Sequence, residues 1–451
     1  MLRGAGYRDV GERAWSWVLD QVREDEGPWL PETVPQDGPP GAGEEPSGDR
    51  PAKEHRDSLY SGIAGLAPAL AEIAQYRELT AREQALAGGI VARLTRQAEQ
   101  TAEPSLYDGL GGHAMALRLL APGTEAVALR RLVDLAGPDG WRTTLDLGEG
   151  SDAPLIDVIM GSAGVVMAAV WARSEFSAAI AATGGEALLR AADRTDAGLD
   201  WGMTPGRASR MPNYSHGTAG VAAALAVAGA ALDRADFVDA AVRGARHVLA
   251  VGSLADGGFV VPHTIPPSTR EVEPVTYTWC HGPAGTSHLF TALAHAGVAE
   301  VAGHGVDELR ERCLTSVLTS GVPERLRPGF WDNDGRCCGT AGVGDILLDA
   351  AQDCPVPARR QTLVEAARTM GDALADRAVR DDAGVRWRFL EHREDPPLLP
   401  PGTAWMQGAA GIATFLLRLA RFLDTGPDAP VVDRPDQWWS VPAHLRTTTA
   451  L

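Results

Sequence analysis

Three of the five cysteines in this 451-residue chain stand just before two copies of one glycine-spaced motif. Cys280 precedes Gly282-Pro-Ala-Gly285, and Cys337 and Cys338 precede Gly339-Thr-Ala-Gly342. Soft thiolates select zinc in a tetrahedral site, and three protein ligands leave the fourth position to water or substrate, as in catalytic sites. A second reading stays open beside it, because free cysteine also packs as a small buried residue and the spacing is not that of a zinc finger. Cys313 and Cys354 fall on or next to amphipathic helical segments, where the buried reading prevails. A sparse, odd set of cysteines argues against a disulfide framework.

The elements that must position these thiols form a repeat. Gly62-Ile-Ala-Gly65, Gly109-Leu-Gly-Gly112, Gly161-Ser-Ala-Gly164, Gly217-Thr-Ala-Gly220, Gly282-Pro-Ala-Gly285, Gly339-Thr-Ala-Gly342 and Gly408-Ala-Ala-Gly411 share one spacing. Their first glycines are 47, 52, 56, 65, 57 and 69 residues apart by subtraction, room for two helices each. The first helix of a repeat is apolar nearly all round, as in Ile63–Ile73, Val165–Trp171 and Val221–Ala231, which marks it as buried. The second is one-sided, as in Asp233–Ala250 or after the Thr80-Ala-Arg-Glu83 capping box. Seven such hairpins satisfy every face by closing into a ring of inner helices wrapped by outer ones. An open solenoid is the alternative, but it would tolerate polar inner faces, and these have few. The predicted fold class is therefore all-α, an α/α toroid. Short strands are expected only at places such as Gly258–Pro262 and Arg386–Leu390.

In a ring, the residues before each first glycine gather at one end: Tyr60 and Ser61, Tyr107 and Asp108, Ile159 and Met160, Ser215 and His216, Cys280 and His281, Cys337 and Cys338, Met406 and Gln407. Flanking the ring, Trp15, Val18, Leu19 and Val22 predict an amphipathic helix over about 10–25. Gly27–Pro51 reads as a flexible surface segment. The organisation expected is 1–57 as N-terminal helix and flexible segment, 58–424 as the toroid, and 425–451 as a C-terminal tail with Trp438 and Trp439. Net charge is −18 and no block of Lys or Arg stands out, so nucleic acid is not expected as a partner. No stretch reads as a signal peptide or membrane span, which predicts a cytoplasmic location.

The Gly-x-x-Gly repeats, Trp279-Cys280-His281-Gly282 and Cys337-Cys338-Gly339 resemble the lanthionine synthetase C family, the cyclases of lanthipeptide biosynthesis and their eukaryotic relatives. The resemblance spans about 58–424 and implies a seven-fold toroid with one Zn2+. It implies Cys280, Cys337 and Cys338 as metal ligands, Cys338 standing where a His is common, and it implies that His281 is not a ligand. Three thiolates give the zinc site a formal charge of about −1, by counting charges. His216 and Asp157 match the family's proposed acid–base pair. Without the resemblance, His216 reads as a helix-start histidine and Asp157 as a cap of the third inner helix. The Arg that peptide cyclases carry four residues before the first zinc Cys is Thr276 here, leaving Tyr214, Tyr277 or the zinc to replace it. Trp331 and Trp405 are read as rim or core aromatics.

The activity implied is addition of Cys thiols to dehydroalanine or dehydrobutyrine, closing (methyl)lanthionine rings in a dehydrated precursor peptide supplied by a separate dehydratase partner. Alternatives are transfer of a small thiol such as glutathione to an electrophile, and a non-catalytic zinc-containing scaffold. A glycosidase built on Asp108 and Asp157 is a fold-level alternative.

Overall fold

Every glycine tetrad of the sequence opens a helix, and the computed structural model shows what those helices enclose. It describes residues 2–34, 56–144, 154–204, 208–268, 274–324, 333–390 and 398–447. The chain starts with α1 (Gly4–Gln21). Six hairpins follow: α2 (Leu66–Ala74) with α3 (Ala81–Gln100), α4 (Leu110–Leu120) with α5 (Ala126–Leu135), and α6 (Ser162–Ala172) with α7 (Ser177–Arg190). Then come α8 (Thr218–Leu232) with α9 (Ala235–Val251), α10 (Pro283–His295) with α11 (Val306–Thr319), and α12 (Thr340–Asp353) with α13 (Pro357–Arg377). A seventh inner helix, α14 (Ala409–Thr425), completes the set. Each even-numbered helix packs on the next, and α14 returns to α2, so the inner helices close a circle.

The all-round apolar pattern has the expected result: every residue of α6 is buried, as is α8 from Thr218 to Gly229. The outer helices bury one stripe, such as Phe237, Ala240, Ala241, Gly244 and Val248 of α9. Thr80 and Glu83 form the reciprocal capping box at the start of α3. Among the described residues, strands are two to four residues long and occur in two-stranded pairs. The stretch Arg386–Leu390 divides between two of them, while Gly258–Pro262 contributes only a bridge from Val260 to Ser253.

The seventh hairpin departs from the sequence pattern. Among the described residues no outer helix follows α14; its outer partner is α1, which packs along it and buries Tyr7, Val10, Trp15 and Val18. Periodicity reveals that a helix has an apolar face but not which neighbour covers it, so α1 reads in the sequence as an appendage. Its span, Gly4–Gln21, also lies earlier than expected, ending where Val22 turns extended. Trp15 Nε1 donates to Glu83 Oε1 at 2.7 Å, tying α1 to the capping box of α3.

The loops that precede the glycines are joined in a second, smaller circle of backbone hydrogen bonds. N–H to O=C bonds run Tyr60 to Tyr107, Tyr107 to Ile159, Val158 to Ser215, Ser215 to Cys280, Cys280 to Cys337, Cys337 to Met406 and Met406 back to Tyr60, at 2.9–3.3 Å. The second glycine of each tetrad makes this close approach feasible. A Cβ at Gly285 would lie 1.8 Å from the Trp279 carbonyl oxygen, and one at Gly342 would lie 1.9 Å from that of Arg336.

The C-terminal segment enters the lumen. Asp433 accepts from Trp171 Nε1 (3.2 Å), Arg434 donates to Asp345 (2.9 Å), Trp439 Nε1 donates to the His288 carbonyl (3.0 Å), and Tyr214 donates to the Asp436 carbonyl (2.7 Å). Those partners come from different arcs of the ring, which places the segment inside it. Trp438 and Trp439 are both buried. Asp345 is the hub of the interior charges, paired with Arg336, Arg418 and Arg434. Burial would raise the Asp345 carboxyl, but these three guanidiniums outweigh it and hold it well below the usual range. Among the described residues, no helix is long and apolar enough to cross a membrane.

Candidate metal centre

The backbone circle sets the cysteines beside one another, since Cys280 N–H donates directly to the Cys337 carbonyl at 3.3 Å. Cys280 Sγ lies 3.3 Å from Cys338 Sγ, which lies 3.4 Å from Cys337 Sγ, and all three sulfurs fall within 4.8 Å of one another. All three residues are buried and none is in a disulfide. Sulfurs around a tetrahedral zinc with bonds of about 2.3 Å sit roughly 3.8 Å apart, so the donor set fits that ion in number, softness and spacing. Among the described residues this is the one group of three or more such side chains placed to hold a metal.

Mutual hydrogen bonding shifts the three thiols in opposite directions. Burial alone would raise the Cys280 thiol; hydrogen bonds from Cys337, Cys338, Thr278 and the His281 backbone reverse this and hold it well below the ordinary value. Hydrogen bonding to Cys280 raises Cys337, and it pushes Cys338 up to about 12. A bound cation would favour the ionised form of all three, since metal binding releases thiol protons. Cys313, buried on α11, is instead driven up by burial alone, and Cys354 sits at the end of α12. Neither joins the cluster.

His281 follows Cys280 but faces elsewhere, its Nδ1 2.9 Å from Asn213 Oδ1. The other predicted pair does meet: His216 Nδ1 is 2.5 Å from Asp157 Oδ2. The second Asp157 oxygen accepts the Met160 N–H at 2.8 Å, so the carboxylate is a clamp for the imidazole rather than a cap of α6, whose N-cap is Gly161. Asp157 is fully buried, whereas the His216 side chain keeps 22% of its surface open. With Nδ1 donating to the carboxylate, Nε2 is the nitrogen left for chemistry. The Ser215 N–H to Cys280 carbonyl bond, 3.0 Å long, fixes this imidazole's backbone to that of the sulfur cluster.

Several residues gain or lose roles. Tyr214 is fully buried with its hydroxyl committed to the Asp436 carbonyl, so it does not replace the absent arginine. Tyr277 is half-buried, and Thr276 is fully buried with no partner for Oγ1 among the described residues. Trp405 is an interior residue stacked under Arg336, 4.2 Å from ring centre to guanidinium carbon; Trp331 lies outside the described residues, as does most of Gly27–Pro51. The carboxylate of Asp157 is spent on the His216 imidazole and the Met160 N–H. Sequence reasoning missed His263, whose ring centre lies 4.2 Å from that of His281, because its loop carries no periodic signal. It also gave no role to Thr278, Tyr60 or Gln407, although the last two occupy the positions where the ends of the repeats converge.

Ring, sulfur cluster and clamped imidazole together define a helical toroid with three buried cysteines that could hold a metal ion at one mouth. The chain matches the model of the lanthionine synthetase C-like protein family over residues 53–422, and it belongs to that family. Among solved structures it is similar to nisin cyclase, with a TM-score of 0.52 and 15% identity over 82% of this chain and 93% of that one. At that identity the likeness is one of fold. A comparison with curated protein sequences found no match.

Proposed function

We propose that this protein is a cyclase that adds peptide cysteine thiols to dehydroalanine or dehydrobutyrine, with Zn2+ held by Cys280, Cys337 and Cys338. The observation that carries the reading is that three buried sulfurs and the His216–Asp157 pair stand on neighbouring loops at one mouth of the toroid, joined by the Ser215 to Cys280 backbone bond. Family membership supports the same class of chemistry. A bound zinc supplies the charge that keeps an incoming thiol ionised near neutral pH.

The chain's own residues handle the proton. The thiol loses its S–H proton, sulfur bonds to the β-carbon of the dehydroamino acid, and the former double-bond pair becomes an enolate that takes a proton at the α-carbon. His216 Nε2 is the group suited to take up the first proton and to deliver the second, Asp157 fixing the tautomer and steadying the charged ring. Next to Cys280 in sequence, Trp279 is buried and meets the rings of Tyr107 and Tyr214 edge to face at 5.7 Å, which fixes the backbone of that loop.

The test is incubation of the zinc-loaded protein with a synthetic peptide bearing one dehydroalanine and one cysteine. The expected result is loss of alkylatable thiol with no change in peptide mass. A thiol that stays fully alkylatable with dehydroalanine and dehydrobutyrine peptides alike would refute the cyclase reading.

A further inference from the structure

A three-thiolate zinc carries a formal charge of about −1, and this one is buried, where an uncompensated charge is costly. The nearest guanidinium in sequence, Arg336, is no counter-ion: it is paired with Asp345 and stacked over Trp405. Among the described residues, the side chains hydrogen-bonded to the sulfurs, other than the cysteines themselves, are neutral. Thr278 Oγ1 lies 3.2 Å from Cys280 Sγ. Gln407 Nε2 lies 3.7 Å from Cys338 Sγ and, at 2.9 Å, donates also to the Tyr60 hydroxyl. That second bond anchors the amide, so Tyr60 fixes the direction in which Gln407 meets the sulfur.

We propose that Thr278 on Cys280 and Gln407 on Cys338, the latter anchored by Tyr60, form a neutral hydrogen-bonding shell that replaces a counter-cation and sets the metal affinity and electron-donating strength of the thiolates. The three residues come from the fifth, seventh and first repeats. The Tyr60–Gln407 bond therefore brings the two ends of the ring onto the metal centre, beside the Met406 to Tyr60 backbone bond. Hydrogen bonds withdraw charge from a thiolate, so the shell allows a third sulfur where a neutral imidazole would otherwise limit the charge. These are positioning residues: they act on the ligands, not on the substrate.

The inference rests on the metal reading of the three cysteines and is independent of the reaction, so its test uses no peptide. Wild type, Thr278→Val, Tyr60→Phe and Gln407→Leu are loaded with Co2+ for the sulfur-to-cobalt charge-transfer band, and with Zn2+ against a chelator for affinity. Each variant is expected to keep the helical circular-dichroism spectrum, to shift the band, and to bind zinc about 10-fold more weakly, the lower end for partners of metal ligands. Thr278→Ser, which retains the hydroxyl, is expected to keep the wild-type band. An unmoved band with zinc affinity within about twofold of wild type in all three variants overturns the shell alone. So does a Thr278→Ser band displaced as far as that of Thr278→Val, since packing would then be the cause. A wild-type chain that takes up no cobalt overturns the metal reading and the shell together, whatever the peptide assay gives.

Discussion

At the scale of single residues, the site separates two jobs that one histidine-rich cluster would blur. In the proposed function sulfur holds the metal, and an imidazole clamped by a buried carboxylate handles protons. His216→Asn keeps a donor toward Asp157 but removes Nε2, so cyclisation is expected to fall about 10²–10⁴-fold, the usual worth of a positioned acid–base, with zinc content unchanged. Cys337→Ala should do the reverse first, stripping the metal as read by elemental mass spectrometry. Retention of full zinc by that variant would sink the ligand assignment. His216 and Asp157 were singled out through the family resemblance, whereas the cysteines were legible in the sequence because their type is scarce and their places in the repeat coincide. His263, Asn213 and the donors Thr278 and Gln407 were not, since a neutral side chain acquires such a role only through what the fold sets beside it. Tyr214 shows the converse: it stands beside His216 in sequence, yet its side chain is spent on the C-terminal segment.

At the scale of elements, the glycine tetrads carry most of what was readable. They announced where six inner α-helices begin, with Gly109, Gly161, Gly217, Gly282, Gly339 and Gly408 as N-caps; Gly62 opens a short 3-10 turn instead. What they could not announce is the backbone circle, which depends on each loop meeting the next repeat. Gly342→Ala tests that circle, because its Cβ would collide with the Arg336 carbonyl beside the metal-binding pair. Backbone cannot yield as a side-chain tip does, so a loss of about 1–3 kcal/mol is expected by denaturant titration, together with weakened zinc binding. Gly88→Ala is the matched control on the exposed side of α3, where an added Cβ meets nothing within 4 Å. There the gain in helix propensity should stabilise by roughly 0.5–1 kcal/mol.

At the scale of the whole molecule, closure depends on α1. Its Trp15 reaches Glu83, which also receives Arg77 and the Thr80 cap. Burial works against the Glu83 carboxylate, but the bonds from Arg77, Thr80 and Trp15 prevail and lower it from 4.5 to about 2. A depressed acid contributes stability that is present above pH 4.5 and is lost as pH falls through about 2, because the unfolded chain takes the proton first. That difference corresponds to roughly 3 kcal/mol. Glu83→Gln should therefore flatten the acid limb of the stability curve between those values, as followed by chemical denaturation at stepped pH. The pairing of α1 with α14 has a further consequence, in time. Gln21 and Ala409 are 388 positions apart by subtraction, which at about 5–20 residues per second is roughly 20–80 s of synthesis. Throughout that interval the face of α1 that packs along α14 is uncovered, so the nascent protein carries an open seam until its last inner helix emerges to fill it.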